Sequence, residues 1–223
     1  MPALLFDLDG TLIHSDPLHV EVFAEIHRER GQDFTHEDYL ARVHGRSNVA
    51  IFSDAFPDED PHALGEEKEA RFRARLAEGD VPAMPGGEAL MRRARGAGWA
   101  VGVVTNAPRA NADAMLGALG LAELVDTLVI GDECPKSKPD PYPYQEALRR
   151  LDVSPTLALA FEDSPSGARA ARGSGAYTIG IRSSLDDRAL RQAGAHLTIE
   201  DFNDPALEPA LDRLMRPTGA LTP

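Results

Sequence analysis

From residue 83 onward, short apolar runs alternate with stretches of helical periodicity, and this alternation constrains the fold more than any other feature of the chain. A helical pattern near Glu88–Arg95 leads to the apolar run Trp99–Val104, and another near Arg109–Leu119 leads to Val125–Ile130. Pro141–Leu151 precedes Thr156–Phe161, a helix near Ser166–Arg172 precedes Tyr177–Ile181, and His196–Ile199 forms a last short strand. Strands separated by helices run parallel, their crossovers are right-handed, and both faces of the sheet are covered. An opening strand over residues 3 to 8 joins the same sheet. The expected fold is α/β, a Rossmann-like parallel sheet core with helices on both faces.

Residues 16 to 82 break the alternation and show helical signals with no convincing strand. Asp16 and Pro17 read as an N-cap and first-turn pair. Leu18, Val22, Phe23 and Ile26 form the apolar stripe of that helix, and Gly31 can close it. Thr35 with Asp38 reads as a capping box for a second helix. Ser47–Phe56 and Pro61–Glu78 predict two more, separated by the acidic turn Pro57-Asp58-Glu59-Asp60. The expected division is therefore residues 1–15 plus 83–223 for the α/β core and 16–82 for an inserted helical domain.

The chemistry concentrates where strands end. Leu4-Leu5-Phe6-Asp7-Leu8-Asp9-Gly10-Thr11 is an apolar strand that finishes in two carboxylates, a glycine and a hydroxyl. Residues two apart in a strand share a face, so Asp7 and Asp9 begin as neighbours. Two carboxylates 4 Å apart repel by about 4 kcal/mol at an effective dielectric of 20, so such a pair serves a cation or acid–base work. Val101–Val104 leads into Thr105-Asn106, and Leu157–Phe161 leads into Glu162-Asp163-Ser164. Ser137-Lys138-Pro139 fixes a lysine in a stiff loop. The chain has 20 arginines and three lysines, and two of the three, Lys136 and Lys138, stand two positions apart. A chain that otherwise uses arginine wants a compact ammonium there. In open parallel sheets ligands sit at the carboxyl ends of the strands. Asp7, Asp9, Thr105, Lys138, Glu162 and Asp163 would converge at that edge, and their four carboxylates call for a hard cation, Mg2+.

Bulk properties exclude several classes. The net charge of −13 argues against nucleic acid and against an anionic membrane as partners. The insert alone carries 16 acidic and 8 basic residues, a balance that suits a small substrate better than a polyanion. A single cysteine, Cys134, excludes an internal disulfide framework and suits a reducing cytosol. With no basic leader or long apolar stretch at the start, a cytoplasmic location is expected.

The four motifs Asp7-Leu8-Asp9-Gly10-Thr11, Thr105-Asn106, Lys138-Pro139 and Glu162-Asp163-Ser164, in this order and spacing, resemble those of the haloacid dehalogenase superfamily. The insert stands where the β-phosphoglucomutase and phosphoglycolate phosphatase branch of that family places its helical cap. The resemblance implies a Mg2+-dependent phosphomonoester hydrolase working through an aspartyl-phosphate. Asp7 would be the nucleophile and Asp9 the general acid and then base. Mg2+ would be held by Asp7, the backbone carbonyl of Asp9 and Asp163, with Glu162 a direct ligand or close beside. Thr105, the amide of Asn106 and Lys138 would neutralise the phosphoryl oxygens. Dehalogenases of this fold lack the second aspartate, so Asp9 points to phosphoryl transfer.

The same resemblance implies that cap residues choose the substrate. His19 stands in the Asp-Pro-Leu-His context of sugar-phosphate members. Arg46, in His44-Gly45-Arg46-Ser47-Asn48, could meet a distal phosphate or carboxylate, and Lys68 falls near a position used by β-phosphoglucomutases. For each the competing reading is structural: a helix-face histidine, a solvated loop arginine and a helix-surface lysine. The other histidines read as mostly surface, with no metal-binding spacing among them. Asn48 stands where the mutases place an arginine, and Thr11 departs from their first motif. Both favour a phosphatase acting on a small phosphorylated metabolite over a hexose-phosphate mutase. A phospho-receiver domain is the distant alternative; its accepting aspartate would be Asp132. The loop Gly173-Ser174-Gly175 lacks the third glycine of a dinucleotide fingerprint.

Overall fold

The computed structural model describes residues 1–43, 46–79 and 83–215. It divides into two compact units, Met1–His14 with Val81–Pro223, and Ser15–Asp80. The larger unit contains the sheet: β1 (Ala3–Phe6), β2 (Ala100–Thr105), β3 (Thr127–Ile130), β4 (Ala158–Glu162), β5 (Tyr177–Ile181) and β6 (Leu197–Ile199). All neighbouring pairs are parallel, in the order β3-β2-β1-β4-β5-β6. This is the α/β doubly wound arrangement. The strand order reverses between β1 and β4, the switch point at which sheets of this kind bind ligands beyond the strand ends.

The sheet forms because its central strands carry apolar side chains on both faces, and every residue of β1, β2 and β4 is buried. On one face Ala3 and Leu5 pack with Ala100, Val104, Ala158 and Ala160 against α7 (Tyr142–Leu151) and α8 (Pro165–Gly173). Small residues dominate that layer, which lets the helices come close to the strands. The other face carries Phe6, stacked on Phe161 at 4.9 Å between ring centres, with Phe202 edge-on to both. There α5 (Gly87–Gly96) buries Leu90, Met91 and Ala94.

The smaller unit is helical: α1 (Asp16–Glu29), α2 (His36–Arg42), α3 (Asn48–Ala55) and α4 (Pro61–Glu78). Thr35 and Asp38 form the reciprocal capping box that starts α2. Asp60 caps α4 by accepting from the His62 and Ala63 amides. One capping expectation is corrected. Ser15, not Asp16, occupies the N-cap of α1, and its side chain makes no capping bond. Asp16 lies one position inside the helix, and its carboxylate accepts instead from the Tyr39 hydroxyl at 2.8 Å.

The remaining helices are α6 (Arg109–Ala118), α9 (Asp187–Ala193) and α10 (Glu208–Met215). Sequence periodicity missed α9 and α10. The first is only seven residues long, and the second carries Pro209 in its first turn, where a proline is tolerated because no backbone donor is needed. No helix among the described residues is long and apolar enough to cross a membrane.

Candidate active site

β1 ends at Phe6, and the Asp7 amide continues its pairing by donating to the Phe161 carbonyl at 3.0 Å. This sets Asp7 beside Glu162 and Asp163 at the end of β4. The chain after Asp7 curls at once: the amides of Thr11, Leu12 and Ile13 all point at the Leu8 carbonyl. Gly10 has φ +71, and a Cβ there would overlap the Asp163 carboxylate. Glycine is therefore required twice over, by backbone conformation and by close approach. A Cβ on Gly167 would likewise overlap the Glu162 carboxylate.

Asp7, Glu162 and Asp163 are all buried, and one oxygen of each lies within 4.8 Å of the others. Lys138 enters this acidic cluster. Its ammonium donates to Asp7 Oδ1 at 2.6 Å, to Glu162 Oε1 at 2.6 Å and to the Val104 carbonyl at 2.7 Å. Its reach depends on Asn106. The Asn106 amide clamps the Lys138 backbone at both ends, Oδ1 accepting from the Lys138 N–H and Nδ2 donating to its C=O, each at 3.3 Å. A Cβ on Gly131 would collide with the Asn106 side chain. Thr105, also buried, accepts from the Ala107 amide at 3.0 Å.

Burial raises the Asp7 carboxyl to about 8; Lys138 opposes the rise, while Glu162 and Asp9 add to it. Burial works to lower the Lys138 ammonium, but Asp7 and Glu162 outweigh it and hold the group above its ordinary value. One ammonium among three buried carboxylates leaves net negative charge in a region poor in water. Oxygen-only donors in that arrangement fit a hard divalent cation.

Two residues escaped sequence reasoning. Tyr144, fully buried on α7, donates to Glu162 Oε1 at 2.6 Å. Ser183, beyond β5, donates to Asp163 Oδ2 at 3.4 Å. Only the i, i+3, i+4 burial pattern of α7 points Tyr144 inward, and a buried tyrosine must find a polar partner. Nothing local marks Ser183.

The residues expected to choose the substrate belong to the helical unit. Lys68 is buried, not on the helix surface; its ammonium donates to Glu69 at 3.0 Å and lies over the rings of Phe23 and Phe72. His19 stacks on Phe72, with ring centres 4.2 Å apart. Asn48 donates to the same Glu69 oxygen at 2.6 Å. Arg46 is exposed and held by Asp54 at 2.5 Å and by the carbonyls of Arg42 and Ala50. His44 and Gly45 lie outside the described residues. The reading of the histidines as mostly surface needs one correction: His27 is buried against Phe34 and Phe56, its Nδ1 2.8 Å from the Phe23 carbonyl.

A buried acid–lysine centre at the switch point of a doubly wound parallel sheet suits an α/β enzyme that handles an anionic group with a cation. Comparison with known proteins narrows this. The family model described as haloacid dehalogenase-like hydrolase matches residues 1–175. Validoxylamine A 7'-phosphate phosphatase from Streptomyces hygroscopicus subsp. limoneus is 34% identical over 192 residues, covering 85% of this chain and 89% of that one. The phosphorylated carbohydrates phosphatase of Thermotoga maritima is 33% identical, covering 87% and 92%. Among solved structures, mutant CbbY from Rhodobacter sphaeroides in complex with xylulose-(1,5)bisphosphate superposes with a TM-score of 0.77 at 30% identity, covering 91% and 95%. The chain belongs to the haloacid dehalogenase-like hydrolase family. It is a phosphatase, a hydrolase of phosphoric monoesters.

Proposed function

We propose that the chain is a Mg2+-dependent phosphatase of a small phosphorylated metabolite, with a sugar phosphate as the leading class, and that it works through a phosphorylated Asp7. The observation that carries this reading is Lys138 bridging Asp7 and Glu162 at 2.6 Å each in a buried acidic pocket. The Asp7 carboxylate attacks phosphorus as the bond to the leaving oxygen breaks, and Asp9 supplies the proton that oxygen needs. Asp9 then takes a proton from water, whose oxygen attacks the same phosphorus, and inorganic phosphate leaves Asp7. Lys138, Thr105 and the Asn106 amide offset the charge that develops on the phosphoryl oxygens. The carboxylates of Asp7 and Asp163 and the backbone carbonyl of Asp9 would hold Mg2+, with Glu162 beside them; the ion would supply positive charge that favours the ionised form of Asp7.

In this reading residues 16–82 are the substrate-selecting cap, with His19, Arg46 and Lys68 as its specificity residues. The phosphorylated carbohydrates phosphatase and the CbbY complex with xylulose-(1,5)bisphosphate support that substrate class. The pairing of Asn48 with Glu69, at the position where mutases of the family place an arginine, favours hydrolysis over mutase chemistry. The test is phosphate release from a panel of phosphorylated sugars and small phospho-acids, with and without Mg2+, alongside Asp7→Asn. Metal-dependent release that Asp7→Asn abolishes supports the proposal. Interconversion of sugar phosphates without release replaces it with the mutase.

A further inference from the structure

Lys138 has three N–H donors and the structure uses all three: two go to competing carboxylates and the third to the Val104 carbonyl. Asp7 and Glu162 each hold the ammonium at 2.6 Å, so its place along the line between them depends on how strongly each oxygen pulls. Two hydroxyls also donate to Glu162: Ser164 reaches Oε2 at 3.4 Å, and Tyr144 takes the oxygen that Lys138 uses. The phenol donates to the same oxygen, Glu162 Oε1, at the same 2.6 Å. The Tyr144 ring face also lies 5.2 Å from the ammonium. Both Tyr144 and Glu162 have no solvent exposure, so water cannot substitute for either bond.

A hydroxyl that donates to a carboxylate oxygen draws off part of the charge it offers to a second donor. We propose that Tyr144 is a positioning residue: by occupying Glu162 Oε1 it weakens that oxygen's hold on Lys138 and lets Asp7 keep an equal share of the ammonium, within reach of a phosphoryl group on Asp7. Without the hydroxyl, Lys138 remains buried and paired but sits closer to Glu162. Tyr144 touches neither substrate nor nucleophile; it acts through Glu162 and Lys138. The inference rests on the proposed role of Lys138 at the phosphoryl group.

Tyr144→Phe tests it, since the ring that fills the core layer stays and only the donor goes. With p-nitrophenyl phosphate and saturating Mg2+, kcat is expected to fall about tenfold while KM stays within about twofold, the pattern of an interaction that matters in the transition state alone. Replacing Tyr144 by p-aminophenylalanine, which restores an N–H donor at the ring tip, is expected to return kcat to within about threefold of the native value. A merely structural tyrosine would lower the melting temperature and leave kcat unchanged. An unchanged kcat in Tyr144→Phe, a change confined to KM, or no recovery with the amino analogue overturns the inference. Should Tyr144→Phe fail to fold, p-fluorophenylalanine at position 144, which fills the ring tip without a donor, takes its place: a kcat about tenfold lower supports the proposal and an unchanged kcat overturns it. Asp7→Asn separates the two levels. If it still turns over, the reading of the whole site fails; if it is inactive while Tyr144→Phe is normal, only the role of Tyr144 fails.

Discussion

Gly10 and Lys138 show how little freedom single positions have at this site. Gly10→Ala would put a methyl where the Asp163 carboxylate stands, at φ +71. The left-handed backbone alone costs about 1–2 kcal/mol, and Asp163 must also move. We expect Gly10→Ala to weaken the apparent Mg2+ affinity about 10–100-fold, read from activity against Mg2+ concentration. Lys138→Met removes the one ammonium that the described structure places among the three buried acids. Breaking such a pair costs about 3–5 kcal/mol, so urea unfolding without metal should move to a clearly lower midpoint. Of the four motifs that supply Asp7, Asp9, Thr105, Lys138, Glu162 and Asp163, three were readable because each couples a strand end to a polar group, and Lys138-Pro139 because it sets one of only three lysines in a proline-stiffened loop. Tyr144 and Ser183 were not, because their partners are 18 and 20 residues away and only packing brings them together.

At the scale of elements, helix α2 depends on its capping box. Thr35→Ala removes the acceptor for the Asp38 amide and the donor to its carboxylate, and should cost about 1 kcal/mol. Faster amide exchange over residues 36–42, with little change in the sheet, would show it. His27 on α1 gives that helix a pH dependence. Burial holds its pKa below the ordinary value, against the hydrogen bond to the Phe23 carbonyl and the nearby Asp38 charge. The unfolded chain therefore takes up a proton near pH 6.5 that the folded chain refuses, and stability falls as pH drops below that point. The slope cannot exceed about 1.4 kcal/mol per pH unit for one group. His27→Phe should flatten the difference in unfolding free energy between pH 7.5 and 5.5 relative to the native chain. Strong helices such as α4 and α7 were legible from periodicity and proline placement. Short α9 and proline-bearing α10 form because Leu190, Leu211 and Leu214 have a place to be buried.

For the whole molecule, cation binding should appear as stability. At a hundred times its Kd, a ligand that binds only the folded state adds about 2.7 kcal/mol, and for a chain of this size that raises Tm by about 5–10 °C. Asp163→Asn should abolish the Mg2+-induced rise in a thermal melt while leaving the metal-free melt close to native. The order of apolar strands and helices determined the parallel α/β class, since the central strands are buried on both sides and each crossover has one permitted hand. The strand-end motifs determined the family and the chemical type of the site in the same way. That Asp7 and Glu162 share Lys138, that Lys68 and His27 are buried, and that Asp16 serves Tyr39 rather than capping its own helix were decided by tertiary structure alone. Those outcomes depend on distances between residues far apart in the chain, and such distances exist only once the core has closed.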